Sequence, residues 1–335
     1  MRSTQPSAPQ PATPPVRPRL AGLTLTRLSQ YGVLIALLLL LVFGGWRYSS
    51  LNFLGQYNVV SVLQGNAPYA LIALGMCFVI ITGGIDLSVG SVVGLSGVVA
   101  ALLSPYGVLV AMLGAVGSGL VVGLINGLVI TRLRIQPFIT TLATLLGAHG
   151  LALLLANNAG VTASPALAAL GQLKWLSIAL MLAAFVIGGF ALSYTRFGRH
   201  ALAVGGGEDA SALMGLNTRQ VLLGVYLLSG ALAGLAGLIF AAQSGAGQPN
   251  EGLGWELSAI ASVVVGGTLL TGGTGSVWFT LVGATLLGVI LNMLNFENGL
   301  GVVSLSPYWQ SVIRGAFLLL VVVLQSRLAR RSGDE

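Results

Sequence analysis

The stretch "VIITGGIDLSVGSVVG", residues 79–94, decides how this sequence folds. An apolar run leads up to Gly83 and Gly84, and a second apolar run follows Asp86, the only acidic residue among the first 207 positions. Paired glycines readily end a helix, and an aspartate is a good N-cap whose charge favours a helix N-terminus. The stretch therefore predicts one helix that ends at Gly83–Gly84 and a second that begins at Asp86.

The composition around this stretch excludes a soluble protein. The chain has 335 residues, of which 55% are hydrophobic and only 7% are charged, whereas soluble domains carry about 25% charged residues. Its apolar runs are about twenty residues long, which fits membrane-spanning helices and not the shorter alternating strands of a transmembrane barrel. The sequence predicts an all-α integral membrane protein that crosses the membrane many times.

About ten transmembrane helices are predicted, with both termini in the cytoplasm. The apolar spans lie near residues 29–46, 66–83, 87–104, 107–130, 137–156, 175–194, 220–243, 257–271, 277–294 and 311–326. The arginine clusters comprise Arg17, Arg19 and Arg27; Arg132 and Arg134; Arg196, Arg199 and Arg219; and Arg327, Arg330 and Arg331. With ten spans and a cytoplasmic N-terminus, every cluster falls on the cytoplasmic side, as the positive-inside rule requires. The net charge of +7 is thus interpreted as a topology signal and not as a nucleic-acid-binding surface.

The predicted domains follow from the same pattern. Residues 1–26 are rich in proline and arginine and predict a disordered basic cytoplasmic tail. Residues 27–328 form the transmembrane domain, which includes a cytoplasmic loop at 195–219, and residues 329–335 form a second cytoplasmic tail. Within the transmembrane domain, "ITGGIDLSVGSVVG" (81–94) is similar to "LTGGTGSVWFTLVG" (270–283). Both segments join two spans on the cytoplasmic side, and they suggest an internal repeat of the kind found in transporters.

The chain offers little chemistry for an enzyme. His149 and His200 are far apart, and no His/Cys/Asp cluster has the spacing of a metal site. The single Cys77 rules out a disulfide within the chain. Lys174 is the only lysine, and no GxxxxGK[ST] phosphate-binding loop occurs. We expect no catalytic residue, no metal and no cofactor, and the chain cannot hydrolyse ATP by means of such a loop.

Two glycine ridges predict close helix contacts. "GLVVGLING" spaces Gly119, Gly123 and Gly127 four residues apart, and "SGALAGLAG" does the same for Gly230 and Gly234. Glycines at this spacing share one helix face and let two backbones approach closely in lipid. The ridges could form a moving helix contact, or they could simply be static packing.

A few polar residues lie within or beside the apolar spans. The candidates for the substrate pathway or its gating are Asp86, Ser88, Gln136, Thr140 and Asn292. Ionisable groups at membrane depth are functional candidates by default, but Asp86 has the competing role of a helix cap. A proton relay is disfavoured because no second buried acid or histidine completes it. Gln136 precedes Pro137, which suits the first turn of a helix, so Gln136 could face either a polar cavity or the aqueous surface.

The loop at 195–219 is the longest hydrophilic insertion between the later spans. Its segment "EDASALMGLN" has acids at the start and Gly215 and Asn217 at the end, which predicts a short capped helix. This helix could be a docking element or a plain amphipathic connector. The residues assigned to the loop's function are Arg196, Phe197, Gly198, Arg199, Glu208, Asp209, Leu213 and Met214. On the opposite side, Glu251, Glu256 and Glu297 are expected in outward loops, as a possible acidic rim.

Several long motifs resemble one family in order along the chain. They are "GGIDLSVGSVVGLSGVVAA", "IQPFITTLAT", "TRFGRHALAVGGGEDASALMGLN", "YLLSGALAGLAGLI" and "ELSAIASVVVGGTLLTGGTGSV". From about residue 50 to residue 326, the sequence is similar to the ribose/galactose/xylose-type permease subunits of bacterial ABC sugar importers. The segment "NFENGLGVVSLSPYWQSVIRGAFLLL" looks most like the second permease of the galactofuranose importer.

This resemblance implies partners and a mechanism. A separate cytoplasmic ATP-binding subunit would supply the phosphate-binding loop and would dock on the loop corresponding to 196–218. A periplasmic sugar-binding protein would deliver a pentose or hexose, and a second permease subunit, identical or different, would complete the pathway. Transport would proceed by alternating access. The alternative is an ion-gradient-driven secondary transporter of a small neutral solute.

Overall fold

The computed structural model describes residues 20–300 together with residues 309, 312, 315 and 316. Within these residues the fold is built from twelve α-helices and one two-stranded antiparallel ladder. The helices are α1 (Leu20–Arg47), α2 (Gln56–Ile81), α3 (Val89–Leu103), α4 (Val108–Leu133), α5 (Pro137–Leu155), α6 (Pro165–Gln172), α7 (Lys174–Tyr194), α8 (Arg196–Gly206), α9 (Glu208–Leu213), α10 (Thr218–Ser244), α11 (Trp255–Val265) and α12 (Val277–Gly299). Strand β1 (Val161–Thr162) pairs with β2 (Ala246–Gly247).

Seven of the described helices are long and apolar enough to cross a membrane. The chain is thus a predominantly helical membrane protein. The predicted count of about ten spans is not reached among the described residues, and the span at 311–326 lies outside them apart from 312, 315 and 316. Helix α1 begins at Leu20, so helix replaces the disorder that the sequence predicts for residues 20–26. Residues 1–19 and 329–335 lie outside the described residues.

Helix α10 lies at the centre of the bundle and packs against α2, α3 and α4. It runs antiparallel to α2. Gly75, near the end of α2, faces Ser229 in the first half of α10, whereas Gln243, near the end of α10, donates to the Gln64 carbonyl in the first half of α2. The two ends of the bundle can therefore be named from α10. The "loop end" is the end where α10 begins and where α8 and α9 lie. The "strand end" is the end where α10 finishes beside the β1–β2 ladder.

One helix that the sequence predicts as a full span is only a partial one. At a rise of 1.5 Å per residue, α2 is about 39 Å long, whereas α3 is about 22 Å and α11 about 16 Å. Helix α3 continues into a 3-10 turn, and together they form Val89–Tyr106, one of the seven helices that can cross a membrane, which agrees with the predicted span 87–104. Helix α11 is too short to cross a bilayer core of about 30 Å by itself. The predicted span 257–271 is therefore wrong in extent, because the helix there is only Trp255–Val265.

The predicted break at Gly83–Gly84 is confirmed. Helix α2 ends at Ile81, and Gly83 adopts a positive φ of 80°. The Gly83 N–H donates to the Ile80 carbonyl and the Gly84 N–H to the Val79 carbonyl, which is the hydrogen-bond pattern of a Schellman motif. The predicted start of the next helix at Asp86 is wrong. Helix α3 begins at Val89, three residues later, and the Asp86 carboxylate bonds Ser229 of α10 as well as Ser88.

The similar segments 81–84 and 270–273 meet at the loop end. The Gly273 N–H donates to the Ile81 carbonyl over 2.9 Å, and Gly272 and Gly273 both have a positive φ. Gly205 of α8 also packs on the Ile81 carbonyl. A methyl group on Gly205 would overlap the Ile81 oxygen. The loop helix α8 therefore sits directly on both helix breaks.

The two glycine ridges form one interface between α4 and α10. A methyl group on either Gly119 or Gly230 would overlap the carbonyl oxygen of the other residue. Gly123 packs against the Tyr226 carbonyl, and a Cβ atom on Gly234 would lie only 2.6 Å from the Ala115 carbonyl oxygen. The fifth ridge glycine, at position 127, faces Leu223 in the same interface. Backbone contact along the two helices leaves no room for side chains at these positions.

Candidate functional site

The Asp86 carboxylate lies at the centre of a buried polar cluster. It is 1% exposed and sits in the non-helical segment between α2 and α3. One oxygen accepts hydrogen bonds from the backbone N–H of Ser88 at 3.0 Å and from its hydroxyl at 2.6 Å. The other oxygen accepts from the Ser229 hydroxyl of α10 at 2.8 Å. The carboxylate thus ties the helix break to the central helix of the bundle.

Polar contacts continue from Ser88 to two further helices. The Asn126 amide of α4 donates to the Ser88 hydroxyl at 3.0 Å, and the Thr144 hydroxyl of α5 donates to the Asn126 amide oxygen at 2.7 Å. The Thr141 hydroxyl, also on α5, donates to the Ile85 carbonyl at 3.2 Å. A continuous network therefore joins the helix break to α4, α5 and α10.

The cluster contains a carboxylate and no cation. Among the residues that the structure describes, the only ion pair joins Arg47 of α1 and Glu297 of α12, outside this cluster. The buried hydroxyl of Tyr226 has no hydrogen-bond partner in the described part of the chain. No group of three or more His, Cys, Asp or Glu side chains there could hold a metal ion.

The structure brings together only some of the predicted pathway residues. Asp86 and Ser88 are in direct contact, and the Thr140 carbonyl accepts a bond from Thr144 at 3.3 Å, at the edge of the same network. Gln136 is instead exposed at the loop end. Its backbone carbonyl accepts the first hydrogen bond of α5, from the Thr140 N–H. Asn292 lies on α12 and exchanges hydrogen bonds with Asn58 of α2. Neither of the last two residues contacts the Asp86 cluster.

The loop at 195–219 contains two helices where the sequence predicts one. Helix α9 matches the predicted short helix but ends at Leu213, and α8 precedes it. Phe197 of α8 stacks on Phe78, with ring centroids 6.0 Å apart, and Gly198 packs against the carbonyls of α7. These two residues anchor the loop. The more accessible residues of the set are Arg196, Arg199, Glu208, Asp209, Leu213 and Met214.

The predicted acidic rim does not exist as one surface. Glu297 lies within α12, where it pairs with Arg47 at 3.3 Å and accepts a hydrogen bond from Tyr48 at 2.8 Å. Glu256 is in the first turn of α11 and accepts from the backbone N–H of residue 254 at 3.2 Å. Glu251 is half-buried in the segment that precedes this helix. The three acids have different surroundings because the segment before α11 folds inward.

Sequence reasoning missed Ser229 and Thr144 as members of the cluster. Ser229 directly precedes Gly230 of the glycine ridge, so its place at a close helix contact could have been inferred from the motif. Thr144 carries no such signal, because threonine hydroxyls usually bond their own helix backbone. Only the packing of α5 on α3 and α4 brings it to Asn126.

Comparison with known proteins identifies the family. Residues 58–322 match the family described as the permease component of branched-chain amino acid transport systems. The chain belongs to this permease family. The ribose import permease protein of Escherichia coli strain K12 is 37% identical to the permease over 292 residues, which cover 82% of this chain and 88% of that protein. Family members are transport components and not enzymes, as the sequence predicts.

Two further relatives are named as ABC transporter permease proteins. An inner membrane ABC transporter permease protein of E. coli strain K12, YjfF, is 39% identical over 299 residues, covering 85% of this chain and 89% of that protein. The L-arabinose ABC transporter permease protein of Azospirillum brasilense is 34% identical over 296 residues, covering 86% of each chain. No solved structure matches the permease.

Proposed function

We propose that the permease is the transmembrane subunit of an ATP-binding cassette importer that moves a monosaccharide across the inner membrane by alternating access. The observation that carries this proposal is the match, along more than four fifths of the chain, to import permeases named for ribose and L-arabinose. The chain lacks a phosphate-binding loop of its own, so separate cytoplasmic ATP-binding subunits would hydrolyse ATP. The substrate would be a pentose or hexose, with ribose and galactofuranose as candidates.

The proposed topology has ten spans, with both termini in the cytoplasm and the loop end facing the cytoplasm. The positive-inside rule supports this orientation. Arg132 lies in the last turn of α4 and Arg134 follows it at the loop end, while Arg196, Arg199 and Arg219 lie in the loop itself. The domain boundaries then follow as a basic N-terminal tail, a transmembrane domain that runs to residue 328, and a tail at 329–335.

We infer that α8 and α9 dock on the ATP-binding subunit. Leu213 is 90% exposed and Met214 is 73% exposed, although both are apolar and at the end of the bundle that carries the arginines. Exposed apolar side chains on a polar surface are typical of a protein–protein contact. Because Gly205 of α8 rests on both helix breaks, a movement of the docked loop would reach the segments beside Asp86 without an intervening flexible link.

The remaining partners follow from the same function. A periplasmic sugar-binding protein would meet the strand end, and a second permease subunit, identical or different, would complete the pathway. The Asp86 cluster would act as a structural or gating element, with Ser88 and Thr140 beside it. Sugars are neutral, so a pathway of hydroxyl and amide groups suffices, and the low charge of the membrane domain suits such a cargo.

One observation favours a different function. Asp86 is a buried carboxylate with no cationic partner among the described residues, and such groups carry protons or ions in secondary transporters. The alternative is therefore an ion-gradient-driven transporter of a small neutral solute. It differs from the first proposal in its energy source, which can be measured directly.

The test is uptake of labelled ribose and galactose by proteoliposomes that contain the permease, its ATP-binding subunit and its binding protein. We expect uptake that requires ATP and persists when ionophores abolish proton and sodium gradients. Uptake that follows an imposed ion gradient without ATP would establish the alternative.

A matched pair of variants tests the docking surface. Leu213→Ser together with Met214→Ser should release the ATP-binding subunit during purification. Leu173→Ser removes another exposed leucine, 56% exposed near the strand end, and should leave the complex intact. Equal retention of the subunit by both variants would remove α9 from the docking surface.

A further inference from the structure

The segment between α10 and α11 enters the interior of the bundle along three glycines of α3. Gly247 packs on the backbone of Gly97, Gly94 faces the carbonyls of residues 249 and 251, and Gly90 faces the Gly252 carbonyl. Because α3 runs towards the strand end, the segment descends from that end towards the middle. Gly90 lies thirteen residues before the end of α3, which places the lower end of the segment about 20 Å inside the bundle.

A cavity of about 330 Å³ lies where this segment ends and α11 begins. Tyr69 lines it from α2, thirteen residues from the start of that helix and therefore also about 20 Å from the strand end. Trp255 and Ser258 line it from α11, and Glu251 lines it from the descending segment. Pockets that hold small molecules begin at about 300 Å³, so the cavity has room for one small solute halfway across the membrane.

The aromatic side of the cavity is a cluster of packed rings. Trp255 stacks on Tyr69 with ring centroids 3.9 Å apart, and Phe240 of α10 contacts the Trp255 ring edge-to-face at 5.4 Å. Aromatic rings carry a partial negative charge on their faces. Such a face attracts the C–H groups on the apolar side of a sugar ring, and this contact requires no cation.

The polar side of the cavity offers acceptors. Glu251 makes no hydrogen bond or ion pair with its side chain among the described residues, and a carboxylate can accept from two hydroxyl groups at once. Ser258 adds one hydroxyl. No lysine, arginine or histidine is among the described residues that line the cavity. The positive end of α11 is already matched by Glu256, which accepts from the Gly254 N–H.

These features together select a class of ligand. A phosphate or a carboxylate would meet the Glu251 charge, and none of the described lining residues supplies a cation to offset it. A purely apolar solute would leave Glu251 unsatisfied. A neutral polyol satisfies both sides, because its hydroxyls donate to the carboxylate while its C–H face lies on the aromatic pair.

We propose that this cavity, between Tyr69, Trp255, Glu251 and Ser258, holds one monosaccharide during its passage through the permease. The inference rests on the proposed function and adds the site at which the sugar binds inside the membrane domain. It also assigns a role to α11, whose first turn presents Trp255 and Ser258 to the sugar. No residue of the Asp86 cluster lines the cavity, so the two sites are separate.

The first experiment measures uptake of labelled D-ribose and D-galactose by the complete importer, together with ATP hydrolysis stimulated by the binding protein. Glu251→Gln keeps the size of the side chain but loses its charge, and we expect a rise in KM or a fall in maximal uptake of about tenfold or more. Ala261→Leu narrows the cavity and should have a similar effect. Stimulated ATP hydrolysis should stay within about twofold of the unchanged protein, since neither residue contacts the loop end.

The control is Glu297→Gln, which removes another carboxylate towards the strand end, outside the cavity. Its uptake should match that of the unchanged importer. If Glu251→Gln and Ala261→Leu also transport normally, the cavity is not the sugar site, although the proposed function stands. If the unchanged importer takes up no sugar with ATP and binding protein present, the proposed function itself has failed.

A second experiment tests occupancy directly and does not depend on transport rates. Ser258→Cys places a thiol in the cavity, while Cys77 is 0% exposed and is shielded from reagents. In the complete importer, the transported sugar should slow modification of this thiol by a small water-soluble reagent several-fold. Modification at the same rate with and without a sugar that the importer transports would overturn the proposal.

Discussion

The buried carboxylate of Asp86 offers the sharpest test of how the helix break is held together. Asp86→Ala removes the acceptor of three hydrogen bonds, two from Ser88 and one from Ser229. Asp86→Asn keeps the one oxygen that accepts both hydrogen bonds from Ser88 and replaces the oxygen that accepts from Ser229 with an amide. Both substitutions remove the buried charge, so the difference between them isolates the hydrogen bonds.

The magnitude follows from the number of bonds that asparagine retains. A buried donor left without an acceptor costs about 1–3 kcal/mol, and serine hydroxyls can turn to other acceptors, so the lower value applies to each. Two retained bonds make the alanine variant less stable than the asparagine variant by about 2 kcal/mol. For a chain of about 150–250 residues, this difference in stability lowers the Tm of the alanine variant by about 4–8 °C relative to the asparagine variant. The fall is expected to be somewhat smaller here, because the permease has 335 residues.

The assay is thermal unfolding of both variants after purification in the same mild detergent, combined with sugar uptake in cells. The asparagine variant should also retain much of the transport, because an asparagine supports the same turn before α3. Equal Tm values for the two variants would refute the bonding role. Loss of transport by the asparagine variant, with normal membrane insertion, would mean that the charge itself is required.

Three further substitutions test the packing of the bundle. Gly119→Ala should destabilise the permease by about 1–3 kcal/mol in a denaturant titration, because the added methyl group overlaps the backbone of α10. The control is Gly117→Ala, whose methyl group meets nothing within 4 Å and which should be neutral or stabilising. Gly205→Ala should displace α8 from the helix breaks and lower stimulated ATP hydrolysis, while Gly206→Ala, with open space around it, should not. Cys77 should resist thiol reagents until the protein unfolds; rapid labelling of the folded protein would contradict its burial.

Local sequence features determined much of this protein. Composition and the length of the apolar runs determine a helical membrane protein, because no soluble core could bury so much apolar surface. The glycine pair at 83–84 determines where α2 ends, since a Schellman motif needs only neighbouring residues. The spacing of Gly119, Gly123 and Gly127 predicts a close helix contact, although it does not name the partner helix.

Tertiary structure decided the features that join distant parts of the chain. The bond between Asp86 and Ser229 links residues 143 positions apart. The segment before α11 turns inward because three glycines of α3 leave a groove for its backbone. As a result, α11 is shorter than the predicted span, and the cavity beside Trp255 lies where the segment meets the helix. Such contacts depend on which helices are neighbours, and no local pattern specifies that.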